Sequence, residues 1–154
     1  MDEGVTPVTD IDGVHLIPLK VIEDARGSLM HVLRADSPFF QRFGEVYLSE
    51  INPGVVKGWK RHLRMTQHLA VPYGRVKFAM HDNRPGSPTC GLTTSCELGR
   101  PDAYALLVVP PLVWYAWACL GDRPAMLVNC ADLPHDPAES ELRTLPETLE
   151  SYAW

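Results

Sequence analysis

Apolar residues in this chain fall into short runs, and proline or glycine cuts nearly every run. The runs are "GVHLIPLKVI", "SLMHVLR", "GEVYLSEI", "VVKGWKRH", "QHLAV", "RVKFAMHD", "AYALLVVP", "VWYAWACL" and "PAMLVNC". They are rich in β-branched and aromatic residues, which pack well on a pleated surface. Runs this short, closely spaced and bounded by turn residues, predict about nine strands in an all-β sandwich or barrel. Helical periodicity is nearly absent. Helical turns are predicted only near "DSPFFQRF" and in the acidic tail "DPAESELRTLPETLES", where Asp-Pro opens a short helix. No internal repeat or linker appears, so residues 1–154 read as one domain, with a core of about 14–137 and a tail of about 138–154.

Composition narrows this picture by exclusion. At 154 residues, 45% hydrophobic and 21% charged, the chain is an ordinary globular domain. A net charge of −5 gives no basic footprint for nucleic acid, so an anionic ligand has to be held by local Arg and Lys. Cysteines 90, 96, 119 and 130 form no CxxC pair. With no secretory signal in "MDEGVTPVTD", the thiols read as mostly buried and reduced, in a cytoplasmic protein. The most apolar stretch, "YALLVVPPLVWYAWACL", is broken by Pro110 and Pro111, so no membrane helix is expected.

Candidate chemistry sits in "KGWKRHLRMTQHLAVPYG", residues 57–74. On an extended strand Lys60 and His62 share a face. A four-residue turn follows, then Gln67, and Gly74 closes the next turn. This spacing, started at Gly54, is similar to the first cupin motif, a glycine, HxH, a carboxylate and a second glycine. "PPLVWY" is similar to the second motif, PxGxxH, with Leu112 at the glycine and Tyr115 at the histidine. The four metal-ligand positions of a cupin thus carry Lys60, His62, Gln67 and Tyr115. A divalent metal takes imidazoles and carboxylates. Lys60 instead adds a cation and Gln67 removes the anion, so no metal and no other cofactor is expected.

Further motifs resemble one cupin family. "VIEDARGSL", "PGVVKGW", "GRVKFAMHDNRPGSPTCG" and the terminal "SYAW" are similar, in order and spacing, to motifs of the dTDP-4-dehydrorhamnose 3,5-epimerases, the RmlC-like cupins. "EVYLSEINPGVVKGWKRHLRMTQHLAV" also resembles the sister 3,4-ketoisomerases. The resemblance implies an antiparallel jelly-roll β-barrel, a homodimer, and metal-free action on a nucleotide-linked keto sugar. Two departures stand out. The epimerase histidine of "GLH" falls on Lys60, and "LVNCADLP" has no tyrosine where the family has "YKCTDYY".

On this reading a 4-keto-6-deoxy sugar, carried on a nucleotide that the resemblance implies is dTDP, is epimerised or isomerised by proton transfer. His62 has the intrinsic pKa of a base near neutrality. Lys60 is placed to stabilise the enolate oxygen, and Tyr115 or Tyr47 to return the proton. By resemblance Arg26 contacts the nucleotide and Lys57 replaces a phosphate-binding arginine, keeping charge but losing the bidentate fork. Gln67 and Tyr47 complete the expected substrate-binding set. Asp82, Arg84 and Ser87 read as structural, and His68 should face away from Gln67. Two other classes stay open: a non-catalytic cupin that binds a sugar nucleotide or partner protein, and a natural-product isomerase or cyclase built on the same pocket.

Overall fold

A computed structural model describes residues 10–143 and residue 154. Twelve strands run in this order: β1 (His15–Pro18), β2 (Val21–Asp24), β3 (Gly27–Met30), β4 (Glu45–Ile51), β5 (Val56–His62), β6 (Gln67–Tyr73), β7 (Arg75–His81), β8 (Thr93–Leu98), β9 (Ala105–Val109), β10 (Trp114–Leu120), β11 (Ala125–Ala131) and β12 (Ser140–Leu142). One sheet is ordered β1-β9-β6-β11-β4 and the other β12-β5-β10-β7-β8, while β2 and β3 form a separate hairpin. Every pairing is antiparallel. This is the jelly-roll barrel of a cupin.

Each predicted run became a strand because its parity fits a two-sheet core. In β11, Ala125, Leu127, Asn129 and Ala131 are buried while the residues between them are less so. The core fills from both sheets, with Leu69, Val71, Leu107 and Leu127 facing Phe78, Met80, Leu98 and Tyr115. A second small cluster, Trp59, Ala79, Trp114 and Ala116, lies on the other face of the second sheet. The guanidiniums of Arg61 and Arg143 cover Trp114 at 4.8 and 5.6 Å, and Trp154 packs on Trp59.

The structure corrects three expectations. The "DSPFFQRF" segment forms turns, not a helix. In the tail, the expected helix is one 3-10 turn, Pro137–Glu139, followed at once by β12; the rest of the expected helix lies outside the described residues. The cysteines are free, but only Cys119 is buried and Cys90 is exposed. Asp82 is fully buried and bonded by Arg84, Ser87 and Thr89, in keeping with the structural role expected of that motif.

Candidate active site

A β-bulge sets the arrangement of the site. Between β5 and β10, Tyr115 pairs with Lys60, but Ala116 pairs with Gly58 and Trp117 with Lys57. Trp59 is the extra residue. Strict alternation would put Lys57 and Lys60 on opposite faces, and one inserted residue restores them to the same face. Gly58 makes the bulge possible: its φ is +115°, and an added Cβ would stand 2.8 Å from Ala116 Cα. Both lysines therefore face the barrel interior beside Tyr115 and Trp117, and Trp59 turns to the outer cluster.

That interior opens as a cavity of about 240 Å³, lined by Tyr47, Ser49, Lys57, Gly58, Lys60, Tyr115, Trp117 and Leu142. Lys57 donates to the Glu50 carbonyl at 2.7 Å and lies 5.6 Å from the Trp117 ring centre. Burial lowers the pKa of Lys60, and the Glu139 charge only partly opposes this.

Behind the wall lies a buried dyad. His62 Nδ1 lies 2.7 Å from Glu139 Oε2. The other carboxylate oxygen of Glu139 accepts the amides of Arg64 and Met65 at 2.6 and 2.8 Å. Burial raises the Glu139 pKa, but these amides and the imidazole outweigh it, so the group is held below the usual carboxylate range. A carboxylate on Nδ1 fixes the proton there and leaves the lone pair on Nε2. Nε2 is buried and has no hydrogen-bond partner among the described residues. Burial lowers the His62 pKa against the opposing pull of Glu139, so the imidazole is biased toward its neutral form. The ring lies nearly parallel to that of Tyr115, with centroids 6.4 Å apart.

The opposite sheet supplies a polar chain. His68 N donates to Asn129 Oδ1 at 3.2 Å, which fixes the amide orientation. Asn129 Nδ2 then donates to Tyr47 Oη at 2.8 Å and to Gln67 Oε1 at 3.0 Å. Tyr115 Oη also donates to Gln67 Oε1, at 3.1 Å. The Tyr115 proton is thus engaged. Tyr47 Oη accepts a bond, and its own proton has no acceptor among the described residues. Burial raises the pKa of both phenols.

The expected set is therefore divided. Tyr47, Lys57, Lys60 and Tyr115 line one cavity. His62 and Gln67 are buried, do not line it, and lie against Tyr115, Gln67 as an acceptor for two donors. Arg26 lies outside it, at the tip of the β2–β3 hairpin, with its side chain 90% exposed and paired to Asp24. His68 faces away from Gln67, held between the Phe39 and Cys130 carbonyls. Leu112 takes the second cupin motif's glycine position with a left-handed φ of 68°, and its amide donates to the His62 carbonyl at 2.7 Å. Glu139 and Asn129 were not anticipated. Asn129 had a signal, a lone amide side chain at an inward parity position in "AMLVNCA"; Glu139 had none. Among the described residues no cluster of three or more His, Cys, Asp or Glu is placed to hold a metal ion.

Comparison with known proteins agrees with this architecture. The family model for dTDP-4-dehydrorhamnose 3,5-epimerase matches residues 8–150. A probable low-salt glycan biosynthesis epimerase of Haloferax volcanii is 30% identical over 139 residues, covering 89% of this chain and 88% of that protein. The spore coat polysaccharide biosynthesis protein SpsL of Bacillus subtilis is 27% identical over 136 residues, 88% of this chain and 89% of SpsL. Among solved structures, a dTDP sugar isomerase from Desulfovibrio desulfuricans superposes with a TM-score of 0.89 at 45% identity, covering 94% of this chain and 92% of that one. The chain belongs to the dTDP-4-dehydrorhamnose 3,5-epimerase family and is an enzyme of that epimerase and isomerase class.

Proposed function

We propose that this protein epimerises a 4-keto-6-deoxy sugar carried on a nucleoside diphosphate, by proton transfer without metal; 3,4-ketoisomerisation is the second reading. The observation that carries this is the two-walled cavity. One sheet presents Lys60, with His62 behind it, and the other presents Tyr47 with an uncommitted phenolic proton. Inverting a carbon next to a carbonyl needs a proton removed on one face and returned on the other, and groups from opposite sheets suit that geometry.

The C3 and C5 protons of a 4-keto sugar are acidic because the resulting carbanion is an enolate. His62 Nε2 serves as base, with Glu139 holding its tautomer and orientation. The imidazole does not itself line the cavity; its assignment as base is supported by its place against Tyr115, which does. Lys60 supports the charge that develops at the keto group, and Tyr47 returns the proton, a role for which Tyr115 is less suited because its proton is held by Gln67. A cavity of about 240 Å³ lies below the common range for ligand pockets, about 300–1,000 Å³, so the sugar enters it and the nucleotide extends outside. Lys57 keeps two N–H donors beyond its bond to Glu50 for a phosphate oxygen. Arg26 serves the nucleotide from the hairpin of a second copy in a homodimer, an assignment supported by its distance in the fold from its own cavity and by exposed Ile22 and Leu29 on the same hairpin. No helix among the described residues is long and apolar enough to cross a membrane. A cytoplasmic location is part of the proposal and rests on its nucleotide-linked substrate.

Deuterium incorporation from solvent into a dTDP-4-keto-6-deoxyhexose tests this reading. His62→Ala should lose about 10²–10⁴-fold in exchange. Tyr47→Phe should keep exchange through His62 but slow inversion. Exchange that persists unchanged in His62→Ala removes that residue from the mechanism.

A further inference from the structure

The group that lines the cavity at the reacting end is a primary amine. Lys60 stands where the two sheets' polar groups converge, half-buried, with no hydrogen bond or ion pair among the described residues. The carboxylate whose charge acts on Lys60 is already committed: Glu139 accepts from the Arg64 and Met65 amides and from His62. The bulge brings Lys57 onto the same wall, where it is tethered to the Glu50 carbonyl and faces Trp117. The site thus separates its two lysines, one held as a cation at the rim and one unheld in a desolvated pocket beside aromatic rings. Desolvation is the condition under which a lysine acts as a nucleophilic amine.

We infer that Lys60 forms an iminium with the keto carbon of the sugar during turnover. The inference deepens the function proposed above and rests on its keto-sugar substrate. The neutral Nζ attacks the carbonyl carbon, and the carbonyl oxygen takes up a proton to give a carbinolamine. Loss of water leaves a protonated C=N bond. His62 Nε2 then removes the adjacent C–H proton, and its electron pair flows into the iminium to give a neutral enamine. Tyr47 returns a proton to the opposite face of that carbon. Water adds to the iminium, the C–N bond breaks, and the inverted ketone and the free amine are restored. Water, released and then consumed, is the one further reactant.

The choice between this and two simpler roles follows from the geometry. As a base Lys60 would duplicate His62, which already holds an uncommitted lone pair. As a fixed cation it would sit desolvated without a counter-ion of its own. The iminium uses both features: the uncharged amine is the nucleophile, and the positive charge appears at the carbon where an enolate would otherwise develop.

The experiment uses the full chain with a dTDP-4-keto-6-deoxyhexose. Sodium borohydride added during turnover should reduce the iminium to a stable amine, raise the protein mass by one sugar nucleotide, and abolish activity in step; peptide mapping should place the adduct on Lys60. In ¹⁸O water the keto oxygen should exchange at an enzyme-catalysed rate, since each imine cycle replaces it. Lys60→Arg, which keeps the charge but cannot form the iminium, should bind the sugar nucleotide, form no adduct and drop oxygen exchange to the uncatalysed rate. Deuterium exchange at carbon with neither adduct nor oxygen exchange overturns the iminium and leaves the epimerase reading standing, as does an adduct on Lys57 alone. Absence of both carbon exchange and sugar-nucleotide binding removes the epimerase reading, and the iminium with it.

Discussion

His62 and Glu139 stand 77 residues apart in sequence and 2.7 Å apart in the fold. A three-residue strand, β12, brings them together: Ser140 pairs with His62, so the preceding turn drops Glu139 over the imidazole. The carboxylate also ties down the middle of the turn between β5 and β6 through the Arg64 and Met65 amides. One side chain thus fixes the loop, the ring and the tautomer.

Glu139→Gln separates these functions. The Gln carbonyl oxygen can still accept the two amides, but its NH₂ then faces Nδ1 and drives the imidazole proton to Nε2. The base loses its lone pair while the loop stays held. Exchange at the sugar carbon should fall by about 10²–10⁴-fold, the usual worth of a general base. Folding stability should fall by about 1–3 kcal/mol, the range for one weakened buried charged hydrogen bond. Nitrogen NMR of the His62 ring should show the tautomer change; an unchanged tautomer would contradict the proposed role.

The same pair sets an acid limit on stability. Burial holds the His62 pKa below its ordinary value of about 6.5, so the unfolded chain takes up that proton first as pH falls. The stability it contributes is full above about pH 6.5 and is lost as pH drops through the folded value. Glu139 acts in the same direction: its pKa is also lowered in the fold, and its contribution is lost further into acid, below about pH 4.3. The thermal midpoint should be level near neutrality, decline below about pH 6.5 and steepen in the carboxylate range. His62→Asn should flatten the upper part only.

Gly58→Ala probes the bulge. The new Cβ meets Ala116 Cα at 2.8 Å, on a backbone with φ of +115° that L residues rarely adopt. Strain of this kind costs about 1–3 kcal/mol, before any overlap with β10. Relief requires β5 to slip against β10, which would turn Lys57 away from the cavity. Stability and sugar-nucleotide affinity should fall together, read by thermal denaturation and calorimetric titration. Loss of stability with full affinity would show that the lysine pair does not depend on the bulge.

How far the sequence could lead is visible at particular residues. The spacing Gly54, Lys60, His62, Gln67, Gly74 was legible because turn lengths and strand parity are local, and β5 and β6 fall on the expected runs. β8, "TTSCEL", was missed because an outer strand of this sheet carries polar residues on its exposed face and lacks a long apolar run. Glu139 was hidden in an acidic tail that reads as solvated. Its burial follows from partners on β5 and the following turn, which no local pattern announces. The Lys57–Lys60 pair was half legible. Both residues were singled out, but a period of two assigns them to opposite faces, and only the extra residue at Trp59 reverses that.

Lys60→His is the most direct test of why this chain departs from its family motif. The substitution places an imidazole where the family's "GLH" has one, with a smaller side chain in a pocket that already holds Tyr115 and Trp117. If Lys60 were a worn ligand or a poor substitute for a base, histidine should leave turnover intact or raise it. An imidazole cannot form the iminium, and a neutral ring places less positive charge at the keto carbon. Turnover should therefore fall by at least about 10²–10³-fold, the cost of removing one group that stabilises developing transition-state charge. Catalysed oxygen exchange should vanish while sugar-nucleotide affinity holds, because Lys57 remains at the rim. A variant that looks more like its relatives and works less well would identify Lys60 as the residue around which this site was rebuilt; a variant that works as well or better would return the chemistry to an imidazole.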